Sequence, residues 1–113
     1  MSMKYVTHND EEINVSMTSL QGELEASYQD LVKAFGLPNQ GDGYKTDAEW
    51  WLRFDDGAVA TIYNWKNGKN YLGPDGLDVE DIDGWHVGCR SRDIVSRVKS
   101  ALDVALHGKT EAV

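Results

Sequence analysis

Asp56-Gly57 lies between two runs of alternating, β-prone residues in the segment DAEWWLRFDDGAVATIYNW, which spans positions 47–65. An Asp-Gly pair in this setting is the strongest local signal for a β-hairpin, because glycine adopts the positive φ that a tight turn requires. The segment therefore predicts two antiparallel strands joined by a two-residue turn. It also carries three of the four tryptophans, so the hairpin decides where large aromatic side chains are displayed.

A two-residue turn also fixes which residues face each other across the hairpin. It pairs Leu52 with Thr61 on the face that carries most of the large apolar groups, which we expect to be the core. On the opposite face it places Trp51 beside Ile62. We expect both of these side chains to reach solvent and to offer an interface, with a second copy of the chain as a candidate partner.

The rest of the chain contains further strand and helix signals. Alternating residues from Glu12 to Glu25 predict one or two strands, and Trp85-His86-Val87 predicts a short one. A helix is predicted from an N-cap at Ser27 to Gly36, and a second from an N-cap at Ser91 to Gly108.

These elements predict an α+β fold. Consecutive strands with short connections pair antiparallel, giving a sheet of about four to five strands with the two helices packed on one face. The length suits a single domain spanning residues 1–113, with residues 1–10 and 108–113 as flexible ends.

The charge balance is acidic, with 19 Asp and Glu against 11 Lys and Arg and a net charge of −8. This charge repels free nucleic acid and suits a basic partner, such as the nucleic-acid-binding groove of another protein. The alternative interpretation is that the charge serves solubility alone. The residues predicted to form an acidic interface are Glu23, Glu25, Asp75, Asp78, Glu80, Asp81 and Asp83.

A second candidate surface combines aromatic rings with cations and amides, which together suit a nucleotide-like anion. The helix start that carries two arginines could add an anion site, although the sequence has neither GxGxxG nor Walker spacing. Alternatively, the tryptophans belong to the core and the basic side chains are merely solvated. The predicted ligand-binding residues are Trp65, Lys66, Lys69, Asn70, Tyr71, Trp85, His86, Arg90 and Arg92.

The sequence gives little support for catalysis. The three histidines are scattered, Cys89 is the single cysteine, and no Cys/His spacing suits zinc. The acidic run from Asp75 to Asp83 does not match an EF-hand loop. We therefore predict no enzyme activity, no catalytic residue, no metal and no cofactor. A lone cysteine and the lack of a long apolar run predict an intracellular protein without a membrane span.

Three phrases together resemble an uncharacterised family of small bacteriophage-encoded proteins. They are SLQGELEASYQDLVKAFGLP, GDGYKTDAEWWLRFDDGAVATIYNWK and WHVGCRSRDIVSRV, and the resemblance extends roughly from Ser19 to Leu102. Cys89 departs from the family pattern, which has a second glycine at that place. The resemblance implies one compact domain and a phage setting, hence the cytoplasm of an infected bacterium.

In that setting we expect a phage accessory protein that acts by stoichiometric binding. The favoured hypothesis is inhibition of a host defence protein through an acidic surface that mimics nucleic acid. The alternatives are a sponge for a small anionic nucleotide signal and an accessory component of the virion.

Overall fold

The computed structural model describes residues 4–108. The chain forms five strands, three α-helices and two single-turn 3₁₀ helices, the latter at Gly73–Asp75 and Val79–Asp81. In chain order the other elements are β1 (Tyr5–Thr7), β2 (Ser19–Glu25), α1 (Tyr28–Phe35), β3 (Glu49–Phe54), β4 (Val59–Tyr63), α2 (Lys69–Leu72), β5 (Gly84–Cys89) and α3 (Asp93–His107).

The strands form one antiparallel sheet in the order β1-β3-β4-β5-β2. The predicted α+β fold with an antiparallel sheet is confirmed. α1 and α3 contact each other and share one apolar core with the sheet, and α2 is a single extra turn in the loop after β4. Between residues 4 and 108, no helix combines the length and the apolar character needed to cross a bilayer.

The predicted ends of α1 are confirmed. The Ser27 hydroxyl accepts a hydrogen bond from the Asp30 backbone N–H at 3.0 Å, so it caps the first turn. Gly36 ends the helix at a φ of +85°, which glycine adopts without steric cost.

Two tryptophans hold α1 against the sheet. The Trp50 indole N–H donates to the Gly36 carbonyl at 2.8 Å, and the Trp85 indole N–H donates to the Ala26 carbonyl at 2.9 Å. The two rings meet edge to face with centroids 5.2 Å apart. Both ends of α1 are therefore tied to one buried aromatic pair. Trp85, predicted to offer a ring to a ligand, is only 1% exposed and belongs to the core.

The hairpin register differs from the predicted one by one residue. The connection contains three residues, positions 55–57, and Phe54 N–H donates across it to the Ala58 carbonyl at 2.8 Å. Leu52 consequently pairs with Ala60 rather than with Thr61. Because side chains alternate along a strand, a slip of one residue turns every β4 side chain to the other face.

Because of this difference in register, the interface predicted on the hairpin is wrong. Ile62 lies on the helix-covered face with 0% exposure, so it cannot contribute to a surface. Thr61 and Tyr63 lie instead on the face away from the helices, beside Trp51 and Glu49 respectively.

Two segments that precede β2 also differ from the secondary structure predicted for them. Tyr5–Thr7, within the segment predicted to be flexible, pairs with β3 as an edge strand. The predicted strand from Glu12 begins only at Ser19, since the preceding residues form a loop. The Arg90 guanidinium donates to two carbonyls of this loop, which therefore bond to a side chain instead of a neighbouring strand. The predicted flexible residues 109–113 lie outside the described residues.

We predict that Gly57→Val lowers the free energy of unfolding by about 1–3 kcal/mol, because Gly57 has a φ of +91° that a β-branched residue resists. A Cβ at Gly57 would meet nothing within 4 Å, so the cost is one of backbone conformation. Urea denaturation measures it. The matched control is Gly84→Val, since a Cβ at Gly84 also meets nothing within 4 Å but the backbone there is an ordinary strand. Equal stability of Gly57→Val and the native protein would contradict the three-residue turn.

Candidate binding surfaces

The outer strand of the sheet and the chain just before β5 carry three adjacent carboxylates. Glu23 and Glu25 point away from the helices, because Leu24 between them is buried in the core. The Ala26 N–H donates to the Asp83 carbonyl at 3.0 Å, and Glu25 and Asp83 line the same shallow depression. All three acidic side chains are exposed and form no ion pair with another described residue. We call Glu23, Glu25 and Asp83 the acidic edge.

The loop before β5 continues the acidic character because one residue anchors it. Ile82 is buried at 1% exposure, and its neighbours Asp81 and Asp83 are exposed on either side. Glu80 precedes them on the same single turn of 3₁₀ helix and is also exposed. Local alternation around one apolar anchor therefore presents the charges to solvent.

The remaining acidic residues of the prediction are partly neutralised or lie elsewhere along the loop. The Asp78 carboxylate forms an ion pair with the Lys69 ammonium at 2.7 Å, and this pairing raises the pKa of Lys69. Asp78 and Glu80 line a depression of about 730 Å³ together with Asp42 and Asp47. Asp75 is exposed at the end of the preceding 3₁₀ helix. Among residues 4–108, no three His, Cys, Asp or Glu side chains come together to hold a metal ion.

A second surface joins three aromatic rings and two lysines. Trp65 is 41% exposed, and the ammonium groups of Lys45 and Lys66 lie 5.4 and 5.5 Å from its ring centroid. Lys66 also lies 5.4 Å from the ring of Tyr71, which packs against Tyr44 at 5.3 Å. We call Tyr44, Lys45, Trp65, Lys66 and Tyr71 the aromatic–lysine cluster. The structure thus brings together three of the predicted ligand-binding residues.

Sequence reasoning missed Tyr44 and Lys45, which come from the loop before β3. Asp42 holds this loop, because one of its carboxylate oxygens accepts the backbone N–H groups of residues 44–46 at 2.8–3.0 Å. Desolvation of the carboxylate acts to raise the pKa of Asp42, but these hydrogen bonds outweigh it and the pKa is lowered. The Lys66 N–H then donates to the Lys45 carbonyl at 2.8 Å, which joins the two loops.

Several predicted ligand-binding residues have structural roles instead. The Asn70 amide donates to the Thr46 carbonyl at 3.1 Å, and Lys69 pairs with Asp78. The Arg90 guanidinium donates to the Ser16 carbonyl at 3.0 Å and to the Asn14 carbonyl at 3.4 Å. These groups are already engaged by the protein itself.

The helix start predicted as an anion site is occupied by a carboxylate. The Ser91 hydroxyl donates to the Asp93 carboxylate in the first turn of α3. Arg92 is exposed in the position just before the helix. A carboxylate at this position competes with any incoming anion for the helix N-terminus.

The groove beside Trp65 carries its own negative charge. It has a volume of about 230 Å³ and is lined by the carboxylates of Asp42 and Glu49 as well as by Tyr63. Burial, reinforced by the Glu49 carboxylate, raises the pKa of the Tyr63 phenol. His86 packs edge-on against the Tyr63 ring with centroids 5.6 Å apart. An anion in this groove would lie beside two carboxylates.

Trp51 is the one member of the predicted hairpin interface that keeps partial exposure. Its indole N–H donates to the Glu49 carboxylate at 2.9 Å, and Glu49 also accepts from the Thr46 hydroxyl at 2.9 Å. This hydrogen-bonded arrangement is polar. With Ile62 buried, the hairpin does not offer the apolar pair that was expected to support a dimer.

Models of known protein families give no match to this chain, and neither do curated proteins at a significant level.

The reactivity of the Cys89 thiol tests whether this residue could act as a nucleophile. Its thiol is buried and donates to the Ser91 carbonyl at 3.2 Å, and burial raises its pKa. Because the thiolate is the reactive form, we predict that the native protein reacts with a disulfide reagent at neutral pH far more slowly than the urea-unfolded chain. The chain has one cysteine, so the coloured thiol that a chromogenic disulfide reagent releases reports on Cys89 alone. Rapid stoichiometric reaction of the folded protein would contradict the assignment of Cys89 as a buried, unreactive thiol.

Proposed function

We propose that this protein acts by stoichiometric binding to a basic surface of a protein partner, of the kind that holds nucleic acid. The single observation that carries the proposal is the acidic edge, whose three carboxylates are exposed and form no ion pair with another described residue. The proposal assigns no catalytic residue, metal or cofactor to the chain.

The spacing of the carboxylates supports nucleic-acid mimicry. Glu23 and Glu25 are two residues apart on one face of a strand, hence roughly 7 Å apart along the strand axis. This distance is comparable to the separation of successive phosphates on one DNA strand, which advance around the helix axis as well as along it. Basic side chains arranged to contact phosphates along a strand would therefore meet carboxylates at a compatible interval.

The rigidity of the acidic edge supports binding as well. β2 pairs regularly with β5 from Gly22 to Glu25, and buried Ile82 anchors the chain next to Asp83. Because the backbone that carries these carboxylates is already fixed, association costs only the conformational freedom of their side chains. The net charge of −8 adds long-range attraction to a basic partner and raises the rate of encounter.

The resemblance to phage-encoded proteins narrows the class of partner. Within this proposal the partner is a nucleic-acid-binding or defence-related protein of the bacterial host, and the protein acts in the cytoplasm of the infected cell. A role as an accessory component of the virion is a further alternative, which the presence of the protein in purified particles would favour.

Affinity capture from bacterial lysate tests the proposal. We expect the native protein to retain a basic nucleic-acid-binding protein at low salt, and duplex DNA to displace it. A variant with Glu25→Gln and Asp83→Asn should lose most of the retained protein. The control variant carries Glu12→Gln and Asp55→Asn, which removes equal charge from exposed sites outside the acidic edge. Recovery of no such protein, or equal recovery by both variants, would contradict the proposal.

A second candidate function is binding of a small anionic nucleotide. The position of Trp65 between two lysine ammonium groups favours it, because a base can stack on the ring while a phosphate meets the cations. The carboxylates of Asp42 and Glu49 in the adjoining groove oppose it. Because of these carboxylates, we rank nucleotide binding below binding of a basic protein partner at the acidic edge.

Thermal melting with millimolar mono- and cyclic nucleotides separates the two candidates. A ligand at a hundred times its dissociation constant stabilises the folded state by about 2.7 kcal/mol. For a chain of this size such a gain shifts the midpoint by roughly 10 °C or more. We expect no shift beyond that of sodium chloride at equal ionic strength. A shift of several degrees that Trp65→Ala abolishes would replace our proposal with the second candidate.

A further inference from the structure

The outer side of β2 presents hydrogen-bonding groups to solvent. β2 is the last strand of the sheet, and β5 is its partner within the described part of the chain. Since the Ala26 N–H bonds to the Asp83 carbonyl, the antiparallel alternation makes Leu24 and Trp85 the next bonded pair. The backbone N–H and C=O groups of Glu23 and Glu25 therefore point outward from the sheet.

A groove runs beside this outer strand on the helix-covered face. It has a volume of about 630 Å³ and lies between β2 and α3, with Leu24, Leu102 and Leu106 among its lining residues. Lys99, Asp103 and His107 also line it from α3, and the His107 imidazole lies 3.7 Å from the Asp103 carboxylate. An added strand next to β2 would project alternate side chains into this groove, towards its three leucines.

We propose that β2 accepts an extended segment of the basic partner as an additional outer strand. Residues of that segment opposite Glu23 and Glu25 would lie on the face away from the helices and would be Lys or Arg. The residue between them would enter the groove and would be apolar. This proposal rests on the proposed function, and it adds a recognition pattern of basic, apolar, basic.

Charge complementarity selects this occupant over a second copy of the chain. Antiparallel pairing of two β2 strands would bring Glu23 and Glu25 of both copies to one seam, between molecules that each carry a net charge of −8. Like charges across paired strands are destabilising. Three of the residues that line the groove are leucines, which favour an apolar residue of the partner segment at that position.

The length of the accessible edge also limits the partner segment. A register shift between Leu20 and Gly22 interrupts the regular pairing of β2, so the regular part runs from Gly22 to Glu25. Bulges and charges on edge strands commonly prevent unwanted pairing. The experiment must therefore distinguish an edge that is merely protected from one that accepts a specific segment.

Fluorescence anisotropy with labelled, end-capped peptides makes this distinction. The probe is Arg-Val-Arg-Val-Arg, and the control probe Arg-Arg-Arg-Val-Val has the same composition and charge. A third peptide is the alternating probe with its arginine backbone amides methylated, which removes the donors that would face β2. We expect the alternating probe to bind at least about tenfold more tightly than either control peptide, a difference of about 1.4 kcal/mol.

Variants of the protein complete the test. The double change Glu23→Gln and Glu25→Gln should weaken binding of the alternating probe by about tenfold or more, while the Glu12→Gln and Asp55→Asn pair should not. Circular dichroism melts verify that each variant is folded.

Three results would overturn this inference. Equal binding of the alternating and clustered probes, both weakened by the glutamine changes, would show attraction by charge alone and would leave the proposed function standing. Absence of binding would exclude the added strand, while the DNA-displaced capture would still decide the proposed function. Sedimentation that reveals a dimer competing with the probe would assign the edge to a second copy.

Discussion

The hydrogen bonds from the Trp50–Trp85 pair are the interaction on which the rest of this structure depends. They reach the carbonyls at the two ends of α1, so one buried contact between two indoles fixes the helix relative to β3 and β5. Ala26 connects this buried contact to the surface of the protein. Its carbonyl accepts from Trp85, and its N–H donates to the Asp83 carbonyl. Core packing thereby positions the end of β2, and with it the carboxylates of Glu25 and Asp83.

Electrostatics then separates the two surfaces that the scaffold presents. At the acidic edge the charges have one sign, are exposed and have no ion-pair partner among the described residues, so their field is available to another molecule. In the aromatic–lysine cluster the two ammonium groups already lie over rings, and the groove alongside is lined by Asp42 and Glu49. The same net charge of −8 that favours a basic partner works against a phosphate at the second surface.

Local signals in the sequence predicted the hairpin, α1 with its Ser27 cap, and the end of α3 at Gly108, because each of these depends on residues close together in the chain. The N-cap predicted at Ser91 was wrong, since Arg92 holds that position. The register failed because Asp-Gly fits both a two-residue turn and the last two positions of a three-residue loop. Trp65 and Lys66 are adjacent in sequence, which made their cluster visible, whereas Lys45 joins them through a backbone bond between distant loops. Trp85 was misassigned because a tryptophan on a short strand looks the same in sequence whether its ring faces the core or solvent.

Amide hydrogen exchange in the free protein, followed residue by residue by nuclear magnetic resonance, tests the central claim most directly. The account holds that β2 is fixed by the core while its outer backbone groups remain available. It therefore predicts slow exchange at Leu24, whose N–H faces β5, and fast exchange at Glu23 and Glu25 on either side. Uniform protection along β2 would mean that the outer edge is already occupied, and uniform fast exchange would mean that the strand is not held. Either result would contradict the account.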